Sequence, residues 1–317
     1  MTAIAPVQTP ADWRSDHVAD NPGWRLRLSE VDQSEVLEAL AAVRAAGVRL
    51  EDVSPELFPL PALGPHLRRL AVDITHGRGF ALVQGLPVGG LTEQDSALVA
   101  LGVVSHVGEI VPQGPERMPV IHVRDEGADP ARTTTRSYQH RQQLGFHADP
   151  TDVVALLCLR PARCGGQSAI VSSVAVHNAL VDARPDLARL LYQPWWFDRR
   201  TGDGPDSFYQ QPVYAVSRDG RLTTRYGPDY MRSAQRAPHV PPLTPQQLEA
   251  LEALDRLNRD PRFLLPMDLR PGDLQFLNNH VILHSRTAYE DHPDPALRRH
   301  LLRLWLTLGL NGPAIGQ

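Results

Sequence analysis

His147 and Asp149, in the run Leu144-Gly145-Phe146-His147-Ala148-Asp149-Pro150, place an imidazole and a carboxylate two residues apart. In an extended segment alternate side chains share a face, so this pair could grip one metal ion with a single further ligand from elsewhere in the chain. His284 and His280 are the candidates for that third position, and both would lie on one face if Asn278-Asn279-His280-Val281-Ile282-Leu283-His284-Ser285-Arg286 forms one strand. Two imidazoles and a carboxylate on one face of an octahedron suit Fe(II), with the opposite positions left for a co-substrate and O2. Such a pair arises easily by chance among 13 His and 36 acidic residues, so its surroundings decide the reading.

The composition leaves room for a scaffold. Apolar residues make up 42% of the 317 positions and charged ones 21%, which is ordinary for a chain with a core. The 29 Pro and 23 Gly point to many turns and shaped loops, as in a β-rich protein. A net charge of -4 supplies no basic field for nucleic acid or an anionic membrane, and no apolar run is long enough to span one. The start, Met1-Thr2-Ala3-Ile4-Ala5-Pro6, lacks the basic-then-apolar pattern of a signal peptide, so a cytoplasmic location is expected. With only Cys158 and Cys164, and no CxxC, a disulfide or a thiolate metal centre is not expected.

Along the chain, Asp32 and Glu35 suggest a capping box before Val36, Leu37, Leu40 and Val43 at helical spacing, with Gly47 as the stop. Thr92 with Asp95 suggests a second cap, and Thr244-Pro245-Gln246-Gln247 a third, the latter opening a helix with Leu248, Leu251, Leu254 and Leu257 on its buried side. Strands are expected at 78–84, 153–159, 168–172, 274–278 and 299–308, the last placing Arg299, Leu301, Arg303 and Trp305 on one face. Residues 195–230 are rich in Trp, Tyr and Gly and read as an excursion over a sheet. The acidic run at 291–294 and Asp152 read as solvated loop. With no repeat and no linker, a single domain over residues 1–317 is the simplest organisation.

In order, His147-x-Asp149, Gly165-Gly166-Gln167-Ser168, Pro271-Gly272-Asp273, Asn278 to Arg286 and Arg298-Arg299-His300-Leu301-Leu302-Arg303 resemble the taurine dioxygenase-like (TauD/TfdA) family of Fe(II)- and 2-oxoglutarate-dependent oxygenases, within the clavaminate synthase-like superfamily. The resemblance covers roughly residues 75 to 310. It implies an α+β fold with a double-stranded β-helix (jelly-roll) core flanked by helices, residues 1–75 as a helical extension packed on it, and an insertion at 195–240 over the active site. It implies iron on His147, Asp149 and His284, which favours His284 over His280. It gives the distal carboxylate of 2-oxoglutarate to Arg299 with help from Ser168, and makes Arg303 a second contact for a carboxylate or for substrate. Phe146, Tyr138 and His280 are candidates for the substrate pocket.

The implied reaction couples O2 and decarboxylation of 2-oxoglutarate to oxidation of a substrate C–H bond, most simply a hydroxylation, with desaturation or ring closure as variants. An acid at position 149, where halogenating relatives have a small residue, argues against halogenation. A planar guanidinium suits this chemistry physically, because it fixes a flexible diacid by two parallel charge-assisted hydrogen bonds. The substrate expected is a small polar metabolite, carboxylate- or amino-acid-like, in secondary metabolism, with a homo-oligomer compatible with the sequence. Two other classes remain open on residues alone: a non-catalytic metal-dependent binder of small ligands, and a zinc hydrolase using the same three ligands.

Overall fold

A computed structural model describes residues 4–129, 132, 135–202, 204–217 and 219–309. Its larger sheet runs in the order Arg25–Arg27, Phe80–Gln84, Leu274–Asn278, Val153–Arg160, His300–Thr307 and Glu109–Val111, with Ile121–Val123 also paired to His300–Thr307. The smaller sheet runs Leu265–Met267, Ser168–Ser172, Ile282–Arg286, Leu144–His147, antiparallel throughout. Phe80, Leu82, Val154 and Leu277 of the larger sheet pack with Ile170, Leu265, Met267 and Ile282 of the smaller one, so the sheets face each other as a jelly roll.

Helices cover both outer faces. Glu30–Ala45, Gly64–His76 and Glu93–Ser105 lie over the larger sheet, where Leu302, Leu304 and Leu306 join Val36, Leu67 and Leu101 in one cluster. Ser173–Ala183, Pro185–Leu190 and Pro245–Asn258 cover the smaller sheet. Period-2 alternation therefore sorts the last strand as expected: its even positions go to the helices, while Leu301, Arg303 and Trp305 face inward. Among the described residues no helix is long and apolar enough to cross a membrane.

Two expectations need correction. The first helix is capped not by Asp32 and Glu35 but by Ser29, whose hydroxyl accepts from the Asp32 N–H while Asp32 reaches back to Ser29; Glu35 instead accepts from the Ala62 and Leu63 N–H groups at 2.7 and 2.9 Å. The N-terminal region is also more than helical. Arg25–Arg27 adds a parallel edge strand to the larger sheet, and Trp13 and Trp24 pack on Phe80 with ring centroids 5.2 and 5.4 Å away.

In the 195–240 stretch, Pro194–Asp198 pairs with Phe208–Pro212 and Tyr214–Val216 with Leu222–Thr224, followed by the helix Pro228–Ser233. Asp198 ties these pieces together by accepting from Arg200 N, Ser233 Oγ and Arg236 Nε at 2.7, 2.5 and 2.9 Å. The stretch then reaches the core: the Ala148 N–H donates to the Tyr226 carbonyl at 2.9 Å and the Thr224 N–H to that of His280 at 2.8 Å.

Candidate active site

His147 and His284 are direct partners on neighbouring strands of the smaller sheet, with ring centroids 4.2 Å apart. Asp149 follows on the same side, its Oδ1 3.8 Å from His147 Nε2, and one donor atom from each of the three residues lies within 4.8 Å of the others. Their remaining polar atoms are largely committed elsewhere. His147 Nδ1–H donates to the Gly145 carbonyl at 3.0 Å, which leaves the Nε2 lone pair toward Asp149. Asp149 Oδ2 accepts from Trp305 Nε1 at 3.0 Å and faces Arg303 at 3.6 Å, so Oδ1 is the free oxygen.

Electrostatics set the protonation states a metal needs. Burial alone would raise the Asp149 pKa, but Arg303, the two histidines and the Trp305 hydrogen bond outweigh it and hold the carboxyl below its ordinary range. Burial, aided by His147 and Arg303, pushes His284 down to about 3, so its imidazole is neutral. A neutral His284 imidazole and an ionised Asp149, with the outer atoms of His147 and Asp149 hydrogen-bonded, fit a divalent iron held on one face.

The loop that carries Asp149 is clamped rather than solvated. Asp149 N–H donates to Asn279 Oδ1 at 2.9 Å, Thr151 Oγ1 to the Leu306 carbonyl at 3.0 Å and Asn279 N–H to the Asp152 carbonyl at 2.9 Å. The Asp152 carboxylate accepts from His280 Nε2 at 2.8 Å on one oxygen, and from Thr307 Oγ1 and Leu308 N at 2.8 and 3.1 Å on the other. Asp152 is thus a buried keystone, which corrects its reading as solvated loop. His280 is its partner and does not join the metal cluster; it also lines a 290 Å³ cavity with Thr75, His76 and Arg221. The strand begins only at Ile282, so the turn before it breaks the alternation that set His280 on the face of His284.

At the other end of these strands lies a pocket for anionic charge. Arg299 is buried, with NH1 lacking any hydrogen-bond partner, and it stands 5.1 Å over the Tyr289 ring. Arg286 lies 4.8 Å from the same ring, and burial followed by the nearby Arg299 charge pushes it down to about 10. Tyr289, whose ring both guanidiniums approach, adds a phenol to the same pocket. Gly165 and Gly166 turn at φ +73° and +71°; a Cβ on the first would meet the Ala288 carbonyl at 2.2 Å, and on the second Arg299 Nε at 3.2 Å. Asp291, expected in a solvated loop, accepts from the Arg299 N–H at 2.7 Å and so fixes its backbone. Ser168 lies across from Arg286 on the neighbouring strand, and its hydroxyl donates to Gln275 at 3.4 Å rather than to Arg299. Sequence reasoning assigns no role to Arg286 or Tyr289, although Arg286 ends the run Asn278 to Arg286.

Arg303 faces the metal cluster. Its Nε donates to Gln113 Oε1 at 3.0 Å, Gln113 returns a bond to the Arg303 carbonyl at 3.1 Å, and the guanidinium stacks over Tyr138 at 4.9 Å. Tyr138 is thereby beside the centre. Phe146 is not: alternation turns it away from His147 into the outer cluster with Val171, Leu180 and Leu283, so its place among pocket residues is corrected to core packing.

Residues 46–305 match the family model described as Taurine catabolism dioxygenase TauD, TfdA family. The chain is 31% identical to FR-33289 synthase of Streptomyces rubellomurinus over 315 residues, covering 96% of this chain and 91% of that protein. It is also 31% identical to uridine-5'-phosphate dioxygenase of an Amycolatopsis species, over 71% of this chain and 83% of that one. Among solved structures, asparagine oxygenase in complex with Fe(II), hydroxyasparagine and succinate shares the fold with a TM-score of 0.68 at 19% identity, covering 90% of this chain and 93% of that chain. The chain therefore belongs to the taurine dioxygenase-like (TauD/TfdA) family of Fe(II)- and 2-oxoglutarate-dependent oxygenases.

Proposed function

We propose that His147, Asp149 and His284 hold Fe(II), that Arg299 with Arg286 and Tyr289 receives the distal carboxylate of 2-oxoglutarate, and that the chain hydroxylates a small anionic metabolite. The observation that carries this is the convergence of three donors, two of which, His147 and Asp149, have their outer atoms hydrogen-bonded, next to a pocket with two buried guanidiniums. Bound there, iron, 2-oxoglutarate and O2 supply C–H oxidation with release of succinate and CO2.

The protein's own share is positional. Trp305 and Arg303 hold Asp149 Oδ2, so that Oδ1 keeps its direction toward the metal. Gly145 holds the tautomer of His147. Arg299 orients the diacid by its planar fork, and Arg286 pins the approach to the His147 strand by donating to the His140 and Gln142 carbonyls. Ser168, lying across from Arg286, adds a hydroxyl near that end of the pocket. Arg303, stacked on Tyr138, offers positive charge to a substrate carboxylate or phosphate beside the metal. Residues 195–240 cover the site as part of one catalytic domain. The relatives' names support the substrate class: one acts on uridine 5'-phosphate, and asparagine oxygenase carries a hydroxylated amino acid.

The test is succinate release by anaerobically iron-loaded protein given 2-oxoglutarate and then air, with amino acids, small organic acids and phosphate esters in parallel. Iron-dependent succinate, stimulated by an anionic compound, is expected. Its absence across reductants and substrates would favour a ligand-binding protein, and activity retained with zinc alone would favour a hydrolase.

A further inference from the structure

Arg225, at the end of the insertion's second hairpin, is 7% exposed, yet neither NH1 nor NH2 has a hydrogen-bond partner. An unpaired buried guanidinium is costly, and proteins keep one where a counter-charge arrives. The acid nearest in influence is Asp152, with the Tyr209 phenol as the other neighbour. Asp152, however, already accepts from His280, Thr307 and Leu308, and none of its hydrogen bonds comes from Arg225. Burial lowers Arg225 to about 10, so it remains charged at neutral pH.

Its backbone neighbours place it against the loop that carries Asp149. Thr224 bonds the carbonyl of His280 and Tyr226 bonds the N–H of Ala148. The Thr224 hydroxyl meets that of Ser173 at 2.7 Å and Tyr226 joins the outer cluster, while the groups that act on Arg225 are Asp152 of the metal loop and Tyr209. A second unsatisfied donor adjoins that loop. Asn279 is fully buried and gives its Oδ1 to the Asp149 N–H, which leaves its Nδ2 without a partner.

We propose that Arg225, with the Asn279 amide, forms an oxyanion subsite that holds a terminal carboxylate or phosphate of the substrate. This deepens the functional reading above and rests on it. The subsite lies at the loop side of the metal cluster, whereas Arg286 and Arg299 serve the co-substrate at the opposite end of the strands. Arg225 reads the planar oxyanion by its fork, and because it belongs to the insertion, an anionic substrate would also bond the covering segment to the metal loop.

The test titrates acetate and inorganic phosphate separately into the anaerobic complex of protein, Fe(II) and 2-oxoglutarate by calorimetry, in wild type, R225K and R225Q. The charge-transfer absorption of iron-bound 2-oxoglutarate is recorded in each sample. Wild type is expected to bind at least one oxyanion, R225Q at least about tenfold more weakly, and R225K in between because it keeps the charge but not the fork. Preference between acetate and phosphate assigns the oxyanion. Equal oxyanion affinity in wild type and R225Q, or no binding to wild type, overturns the subsite. Loss of the absorption band in both Arg225 variants also overturns it, by making Arg225 a structural residue. Absence of the band from wild type would instead defeat the functional reading, and is thereby distinguished.

Discussion

Among the described residues, two clusters contain two histidines and one carboxylate with donor atoms within 4.8 Å: His147, Asp149 and His284 between the sheets, and Glu93, His122 and His300 toward the surface, with His300 itself buried. They differ in what their atoms are doing. In the surface set His122 Nδ1 and His300 Nε2 bond each other at 2.8 Å, Arg160 bonds His300 Nδ1 at 3.0 Å, and Arg124 meets Glu93 at 3.3 Å. Its donors are used up on one another and its acid is neutralised by arginines. In the inner set the hydrogen bonds go to the atoms that face away from the centre, to Gly145 and Trp305, and the facing atoms are left for an ion. Residue types at metal-like spacing do not make a metal site; the partners of the far-side atoms do.

The largest effect should separate the clusters outright. H284A or D149A abolishes iron-dependent succinate formation, whereas E93Q leaves it near the wild-type rate; an inactive but folded E93Q would break the comparison. Next, the neighbours Arg299, just before the last strand, and His300, its first residue, should behave differently. R299A removes a charge-assisted bidentate contact and should raise the 2-oxoglutarate concentration needed for half-maximal turnover by about 10- to 100-fold, read from initial rates. H300Q should leave that concentration unchanged.

W305F and D152N test the far-side partners without touching a ligand. Each should weaken iron affinity by about 10- to 100-fold in competition with a chelator, the range for residues that orient ligands. Wild-type affinity in both would mean that the clamp on residues 148–152 has no bearing on the centre.

The smallest effect is on stability. Burial depresses His300 to about 4 and His284 to about 3, both below the unfolded value near 6.5. Each therefore contributes stability that is complete above about pH 6.5 and is lost as pH falls toward the folded values. The melting temperature of metal-free protein should be flat from pH 8 to 7 and decline below about 6.5. H300Q should show a shallower decline, and identical slopes would contradict the role of burial at His300.

Much of this site was legible in the chain because it obeys period-2 geometry. His147 with Asp149, and Arg303 with Trp305, follow from alternation, and the strand at 168–172 and the helix caps at Thr92 and Thr244 follow from local chemistry. Nearness along the chain misleads where the geometry opposes it. Phe146 adjoins His147, yet alternation sends them to opposite faces, and the turn before Ile282 breaks the strand that would carry His280 to the face of His284. The hidden remainder is long-range. The bonds Trp305 to Asp149, Thr307 to Asp152 and Asn279 to Asp149 cross more than a hundred residues, so nothing local to either partner announces them.

The most direct test of the central claim is a count of ferrous iron bound per chain, under anaerobic conditions, in wild type, D149A and E93Q. One iron in wild type and in E93Q, with none in D149A, is the predicted result. Iron that survives in D149A and disappears in E93Q would place the metal at the surface cluster and contradict the account.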